Sequence, residues 1–151
     1  MLDGPGKKPS SILFACGMNA IRSPMAAALC QNLFPRRIYV NSAGVRSGDL
    51  DPFMVSVMDE VGLDLSKHRP HTFEDIEDSN FDLVITLAPE AHHMALELTR
   101  TQAMDVEYWP TPDPTLATGS RDQILRAYRE VRDMLTMRIK KRLQWTPNAS
   151  D

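Results

Sequence analysis

Short runs rich in β-branched and aromatic residues alternate along this chain with longer segments of helical periodicity, and that alternation decides its architecture. SILFAC (11–16), RIYVNS (37–42), FDLVITL (81–87) and DVEYW (105–109) have strand character. Between them Met25, Leu29 and Leu33 share one stripe, and Phe53, Val57 and Val61 a second. PEAHHMALELT (89–99) opens a third helical segment, and Ile124, Val131, Leu135 and Ile139 mark a last, longest helix to about residue 143. Strands separated by single helices pair in parallel, because a parallel neighbour is reached only through a right-handed crossover. The expectation is an α/β fold, a four-stranded parallel sheet with helices on both faces, formed by one domain over 11–145 with polar tails at 1–10 and 146–151.

Helix boundaries are written in cap chemistry. Ser23 and Pro24 read as N-cap and first helical residue of the first helix, and Asp51 and Pro52 as the same pair for the second, with Gly62 placed to end it. Ser120 and Gln123 have capping-box spacing ahead of the last helix. The polar face of that helix, with Arg126, Arg129, Arg132 and Lys140, reads as solvated surface.

Several function classes drop out on composition. A formal charge of −3 with acidic and basic residues interspersed has no basic face for nucleic acid. The apolar run after the N-terminal lysines, ILFAC, is too short for a signal core or a membrane span, so a cytoplasmic protein without membrane association is expected. In that compartment the two cysteines, Cys16 and Cys30, stay reduced. No G-x-x-x-x-G-K-[ST] loop occurs, which disfavours a nucleotide-hydrolysing site. His92 and His93 are adjacent on a helix and point about 100° apart, an arrangement for surface rather than for a shared metal.

In open α/β sheets ligands sit at the carboxyl ends of the strands, and the loop leaving the first strand there reads CGMNAIRSP (16–24). A tight turn from strand to helix N-terminus aims backbone N–H groups and the positive end of the helix dipole at one point, which makes an anion cradle. Gly17 lets the chain turn off the strand, and Asn19 tolerates a left-handed conformation. A cysteine at the base of the cradle is expected as thiolate. Arg22 brings a planar fork for two oxygens of a tetrahedral oxyanion, and Ser23 a hydroxyl for the sulfur. The expected phosphate-binding residues are Gly17, Met18, Asn19, Ala20, Ile21, Arg22 and Ser23.

CGMNAIRSPMA resembles the C-x5-R-S loop of the low-molecular-weight protein tyrosine phosphatase family, arsenate-reductase-like relatives included. NSAGVRSGDLD (41–51), GLDLSKHR (62–69) and FDLVITL are similar to further segments of that family, so the resemblance spans most of 11–143. It implies a flavodoxin-like fold and a two-step phosphomonoester hydrolysis through a cysteinyl-phosphate, with Cys16 as nucleophile, Arg22 stabilising the equatorial oxygens and Asp113 of the Asp113-Pro114 pair as acid, then base. It further implies that Asn19 and Ser42 hold the loop in shape, that His68 supports it, and that Ser23 helps the sulfur leave. Neither metal nor organic cofactor is required, and the partner is a phosphorylated protein or a small phosphomonoester.

The chain also departs from the family pattern. Ile21 stands where many members place a second loop cysteine, and Cys30, among Ala26, Leu29 and Leu33, reads as core. Thr115, Leu116 and Arg46 occupy places where tyrosine-specific members often carry aromatics, and Trp109 and Tyr108 read as core. No cysteine follows residue 30, which removes the thioredoxin-coupled arsenate reductase mechanism. An arsenate reductase coupled to a small thiol, and a non-catalytic oxyanion or phosphopeptide binder, are the alternatives.

Overall fold

The computed structural model describes residues 8–76 and 80–147, so most of the two expected tails lies outside the described residues. Strands β1 (Ser11–Cys16), β2 (Tyr39–Gly44), β3 (Leu83–Thr86) and β4 (Asp105–Tyr108) form one sheet in the order β2-β1-β3-β4, every pair parallel. Helices α1 (Arg22–Leu33), α2 (Pro52–Asp59), α3 (Pro89–Leu98) and α4 (Arg121–Leu143) complete the alternation. The connections leave β1 and β3 in opposite directions, so the loops after these neighbouring strands open a crevice at the carboxyl edge of the sheet.

The period-two pattern of the strands sorts the core into two layers. Ile12, Phe14, Leu83, Ile85 and Leu87 meet Met25 of α1, Val57 of α2, and Leu135 and Ile139 of α4 on one face. Leu13, Val84 and Phe81 pack with Ala95 of α3 on the other. α4 is long enough to lie along both α1 and α2, and its Ser120–Gln123 capping box forms as expected. Asp51 caps α2 by accepting from the backbone N–H groups of Phe53 and Met54 at 2.8 and 3.1 Å. That helix stops at Asp59, and Gly62 turns the chain at φ 80°.

Four local expectations change. β2 starts and ends two residues later than RIYVNS, because pairing with β1 carries the ladder through Ala43 to Gly44 opposite Cys16 despite the weak strand propensity of those residues. Ser10 is tied in place, donating from N–H and Oγ to Asp82 Oδ2 at 2.8 and 2.6 Å. α1 begins at Arg22 with Ile21 in the cap position at φ −135° and no side-chain cap, so Ser23 is inside the first turn and its hydroxyl is available elsewhere. Arg132 is not solvated surface: at 9% exposure it donates from Nη1 to Val57 O at 2.8 Å, closing a carbonyl that the end of α2 leaves open, and to the Glu60 carboxylate at 2.9 Å. Among the described residues no helix is long and apolar enough to cross a membrane.

Candidate active site

β1 delivers Cys16 to the carboxyl edge of the sheet, 3% exposed. The chain then leaves as a loop whose carbonyls face outward: Val45, Arg46 and Gly48 donate their N–H groups to the carbonyls of Cys16, Gly17 and Met18 at 3.2, 2.9 and 3.0 Å. Asn19 takes the left-handed conformation at φ 55°, as its residue type allows. With the carbonyls laced outward, the amides from Gly17 to Ser23 donate to no acceptor among the described residues. They are the orphan donors of a strand-to-helix turn, gathered at the positive end of α1.

A buried hydrogen-bond network shapes this loop. Asn19 Nδ2 donates to Ser23 Oγ and to Ser42 Oγ, both at 2.9 Å. Ser23 Oγ lies 2.9 Å from Cys16 Sγ and 3.4 Å from Ala43 O, and because it accepts from Asn19, its one hydrogen has the sulfur and that carbonyl as acceptors. Asn19 Oδ1 accepts the backbone N–H of His71 at 3.0 Å. His68 Nε2 sits 3.0 Å from Asn19 O and 3.1 Å from Asn19 Oδ1; both are acceptors, so the hydrogen is on Nε2. Burial is the largest influence on this imidazole and pushes its pKa below the ordinary value of 6.5, against the backbone bond to Asn19, which raises it.

Arg22, in the first turn of α1, reaches across to the loop after β4 and donates from Nη1 to Thr111 O at 2.9 Å. Thr111 is itself fixed, its N–H on Leu87 O at 3.1 Å and its hydroxyl on Trp109 O at 2.8 Å. Asp113 follows two residues later and caps a single 3-10 turn, Pro114–Leu116, with Oδ1 accepting from Thr115 N and Thr115 Oγ1 at 2.9 and 2.6 Å. Cys16, Ser23, Asn19 and Ser42 are thus linked in one chain of hydrogen bonds, and Arg22 is joined to the segment that carries Asp113.

Sequence reasoning missed Gly44 and Glu90. A Cβ on Gly44 would lie 2.5 Å from Arg46 O, 2.7 Å from Asn19 N and 2.8 Å from Met18 C, so the loop passes at backbone distance over β2. Glu90, in the first turn of α3, covers Gly17, where a Cβ would collide with its Oε1, and takes the guanidinium of Arg46 at 2.9 and 3.1 Å. The space a side chain at position 17 would need is thus held by the end of the Glu90 side chain, and no positive φ calls for glycine there. Around the loop, Met18 and Leu116 are 49% and 77% exposed.

The remaining candidates fall as follows. Cys30 is fully buried in α1 and burial pushes its thiol up to about 12. Trp109 is core, edge-on to Phe14 with ring centroids 6.3 Å apart. His92 is less exposed than expected, stacked on Tyr108 at 4.6 Å with Nδ1 3.0 Å from Thr86 Oγ1, while His93 is exposed. No group of three or more His, Cys, Asp or Glu among the described residues is arranged to hold a metal ion.

Sheet order and loop together define the class of small doubly wound α/β proteins with a Cys-x5-Arg anion loop after the first strand. Residues 11–146 match the family of low molecular weight phosphotyrosine protein phosphatases, and the chain belongs to that family of cysteine-dependent enzymes. It is 33% identical over 131 residues to an arsenate reductase of Shouchella clausii, covering 86% of this chain and 92% of that protein. The structure of an arsenate reductase in the phosphate binding state superposes with a TM-score of 0.70 at 26% identity, over 89% of this chain and 97% of the other. The tyrosine phosphatase Wzb from Escherichia coli K30 in complex with sulphate shares the fold, with a TM-score of 0.71 at 24% identity over 90% and 97% of the two chains.

Proposed function

We propose that this chain hydrolyses phosphomonoesters, on a phosphorylated protein or a small molecule, through a cysteinyl-phosphate on Cys16. The observation that carries the reading is the run of amides from Gly17 to Ser23, unpaired among the described residues, that follows buried Cys16, while the other thiol of the sequence, Cys30, is buried and held protonated. In the first step Cys16 attacks phosphorus in line, the amides and Arg22 take the equatorial oxygens, and Asp113 protonates the leaving oxygen. In the second, water attacks the thiophosphate with Asp113 as base, and the Ser23 hydroxyl stabilises the departing sulfur. Asn19 and Ser42 support the loop without touching substrate. No step calls for a metal or an organic cofactor.

A second reading has its own support, since a relative sharing a third of its residues is named an arsenate reductase, and arsenate is a tetrahedral oxyanion of nearly the same shape as phosphate. Reduction to arsenite consumes two electrons from thiols. Cys16 supplies one sulfur, and Cys30 is fully buried and held as the thiol, so a small external thiol has to supply the other. The two readings part in one pair of assays on the purified protein. Hydrolysis of p-nitrophenyl phosphate, lost in Cys16→Ser, with no arsenate-dependent consumption of a small thiol is the expected result. Thiol consumption without phosphate release reverses the choice, and neither activity with retained vanadate binding leaves an oxyanion binder.

A further inference from the structure

We propose that Thr115 is the positioning residue of the acid: it occupies Oδ1 of Asp113 and so leaves Oδ2 as the oxygen that carries the proton. The inference rests on the assignment of Asp113 as acid in the hydrolytic reading, and it concerns which half of that carboxyl does the work. Thr115 donates twice to the same oxygen, from N–H at 2.9 Å and from Oγ1 at 2.6 Å. Oδ2 accepts no hydrogen bond among the described residues.

Oδ1 has two acceptor directions, and the Thr115 N–H and Oγ1–H take both, so neutral Asp113 places its hydrogen on Oδ2; without Oγ1 one direction opens and either oxygen can bear it. The protonated form of Asp113 therefore carries its hydrogen on Oδ2 for as long as the turn is intact. Pro114, with its fixed φ, sits between the two partners, and the turn is closed by Leu116 N on Asp113 O at 3.2 Å and Ala117 N on Pro114 O at 3.1 Å. Upstream the same loop is pinned by Arg22 through Thr111 O at 2.9 Å. With the backbone held on both sides, the rotation of the carboxyl group is the freedom that remains, and Thr115 removes it.

The proton balance is simple. As the S–P bond forms and the bond from phosphorus to the leaving oxygen breaks, hydrogen passes from Oδ2 to that oxygen and Asp113 becomes a carboxylate. As water attacks and the S–P bond breaks, a water hydrogen returns to Oδ2. Orientation matters most when the leaving oxygen is basic, because a stable phenolate departs with little help.

The test is a leaving-group series, substituted phenyl phosphates and one alkyl phosphate, on the wild type, Thr115→Val, Thr115→Ser and Asp113→Asn, with urea midpoints to show that each variant is folded. Thr115→Val is expected to lose about tenfold or more on the alkyl phosphate, part of the 10²–10⁴ that a general acid supplies, and far less on p-nitrophenyl phosphate. Thr115→Ser is expected to restore the wild-type slope. If Asp113→Asn steepens the series and Thr115→Val runs parallel to the wild type, the proposal fails alone. A uniform loss in Thr115→Val that serine does not rescue also overturns it, since a turn cap without orienting function behaves that way. If Asp113→Asn slows all leaving groups alike, or the wild type hydrolyses none, the acid assignment falls and takes the proposal with it.

Discussion

Asn19 donates its side-chain amide to the hydroxyl of Ser42 across 2.9 Å, and the bond is fully enclosed by protein. Asn19 is the one residue of the loop with a positive φ, so its side chain holds in place the backbone conformation that its residue type makes possible. Replacing it by alanine strands the Ser42 hydroxyl and the His71 amide and takes one donor from Ser23, which keeps Cys16 Sγ and Ala43 O. Unsatisfied buried groups of this kind cost about 1–3 kcal/mol each when water cannot reach them. Asn19→Ala is expected to lower the urea midpoint by more than Ser42→Ala, which strands a single amide hydrogen, and to weaken inhibition by inorganic phosphate in parallel.

The two glycines beneath the loop answer differently to a methyl group. At Gly44 every close neighbour of an added Cβ is backbone, including Asn19 N at 2.7 Å, so Gly44→Ala forces the loop itself to move. At Gly17 the obstacle is the carboxylate of Glu90, the end of a flexible side chain. Gly44→Ala is expected to reduce phosphate affinity by tenfold or more, about 1.4 kcal/mol, with a lowered melting temperature. Gly17→Ala should be mild and be relieved by Glu90→Ala. Equal effects of the two changes in phosphate titrations would contradict this account.

His68 links the loop to pH. Its pKa is lowered in the fold, so between the ordinary 6.5 and the lower folded value the unfolded chain binds more protons. The stability that His68 contributes is complete above 6.5 and is lost as pH falls through the folded value. Urea midpoints of the wild type should decline with acidification across this window more steeply than those of His68→Gln. A parallel decline in the two proteins would remove His68 as the cause.

Arg129 first, and Arg132 after it, hold the Glu60 carboxyl at about 2, chiefly through their hydrogen bonds to it. That contribution is present above the ordinary 4.5 and disappears as pH falls through about 2. Arg132→Met keeps the apolar stem but gives up the bonds to Glu60 and to Val57 O. Its acid-unfolding midpoint is expected to move to higher pH, and its stability at neutral pH to fall by about 1–3 kcal/mol from the unpartnered carbonyl alone. Arg126→Met, at an exposed position on the same helix, serves as the control and should leave both unchanged.

How much of this was legible in the sequence follows from where each interaction is encoded. The sheet, its parallel sense and three of its strand positions were readable because hydrophobic period and cap residues are local signals. The loop from Cys16 to Arg22 was readable because its chemistry is contiguous, and the left-handed Asn19 because few residue types accept that conformation. Ser42 and His68 came from resemblance, since nothing local marks a serine in a strand or a histidine in a loop as partners of Asn19. Ser-Pro is a cap signal, but the helix starts two residues earlier, at Arg22, and leaves the Ser23 hydroxyl beside the sulfur. Glu90 over Gly17 and Arg22 on Thr111 join residues far apart in the chain, and the second uses a carbonyl that every residue type has. Arg132 looked solvated because periodicity identifies the face of a helix but not the open carbonyls of a neighbouring one.

The bond from Arg22 to the Thr111 carbonyl divides the molecule's rim into a part that cannot drift and a part that can. Lengthening or shortening the chain between Trp109 and Asp113 would pull on the guanidinium as well as on the carboxyl, so the anion grip and the proton delivery proposed for them would be damaged in one stroke. Residues from Leu116 onward lie outside that yoke. Exchanging them for other side chains offers a way to retune which leaving groups are accepted while inorganic phosphate still binds as before.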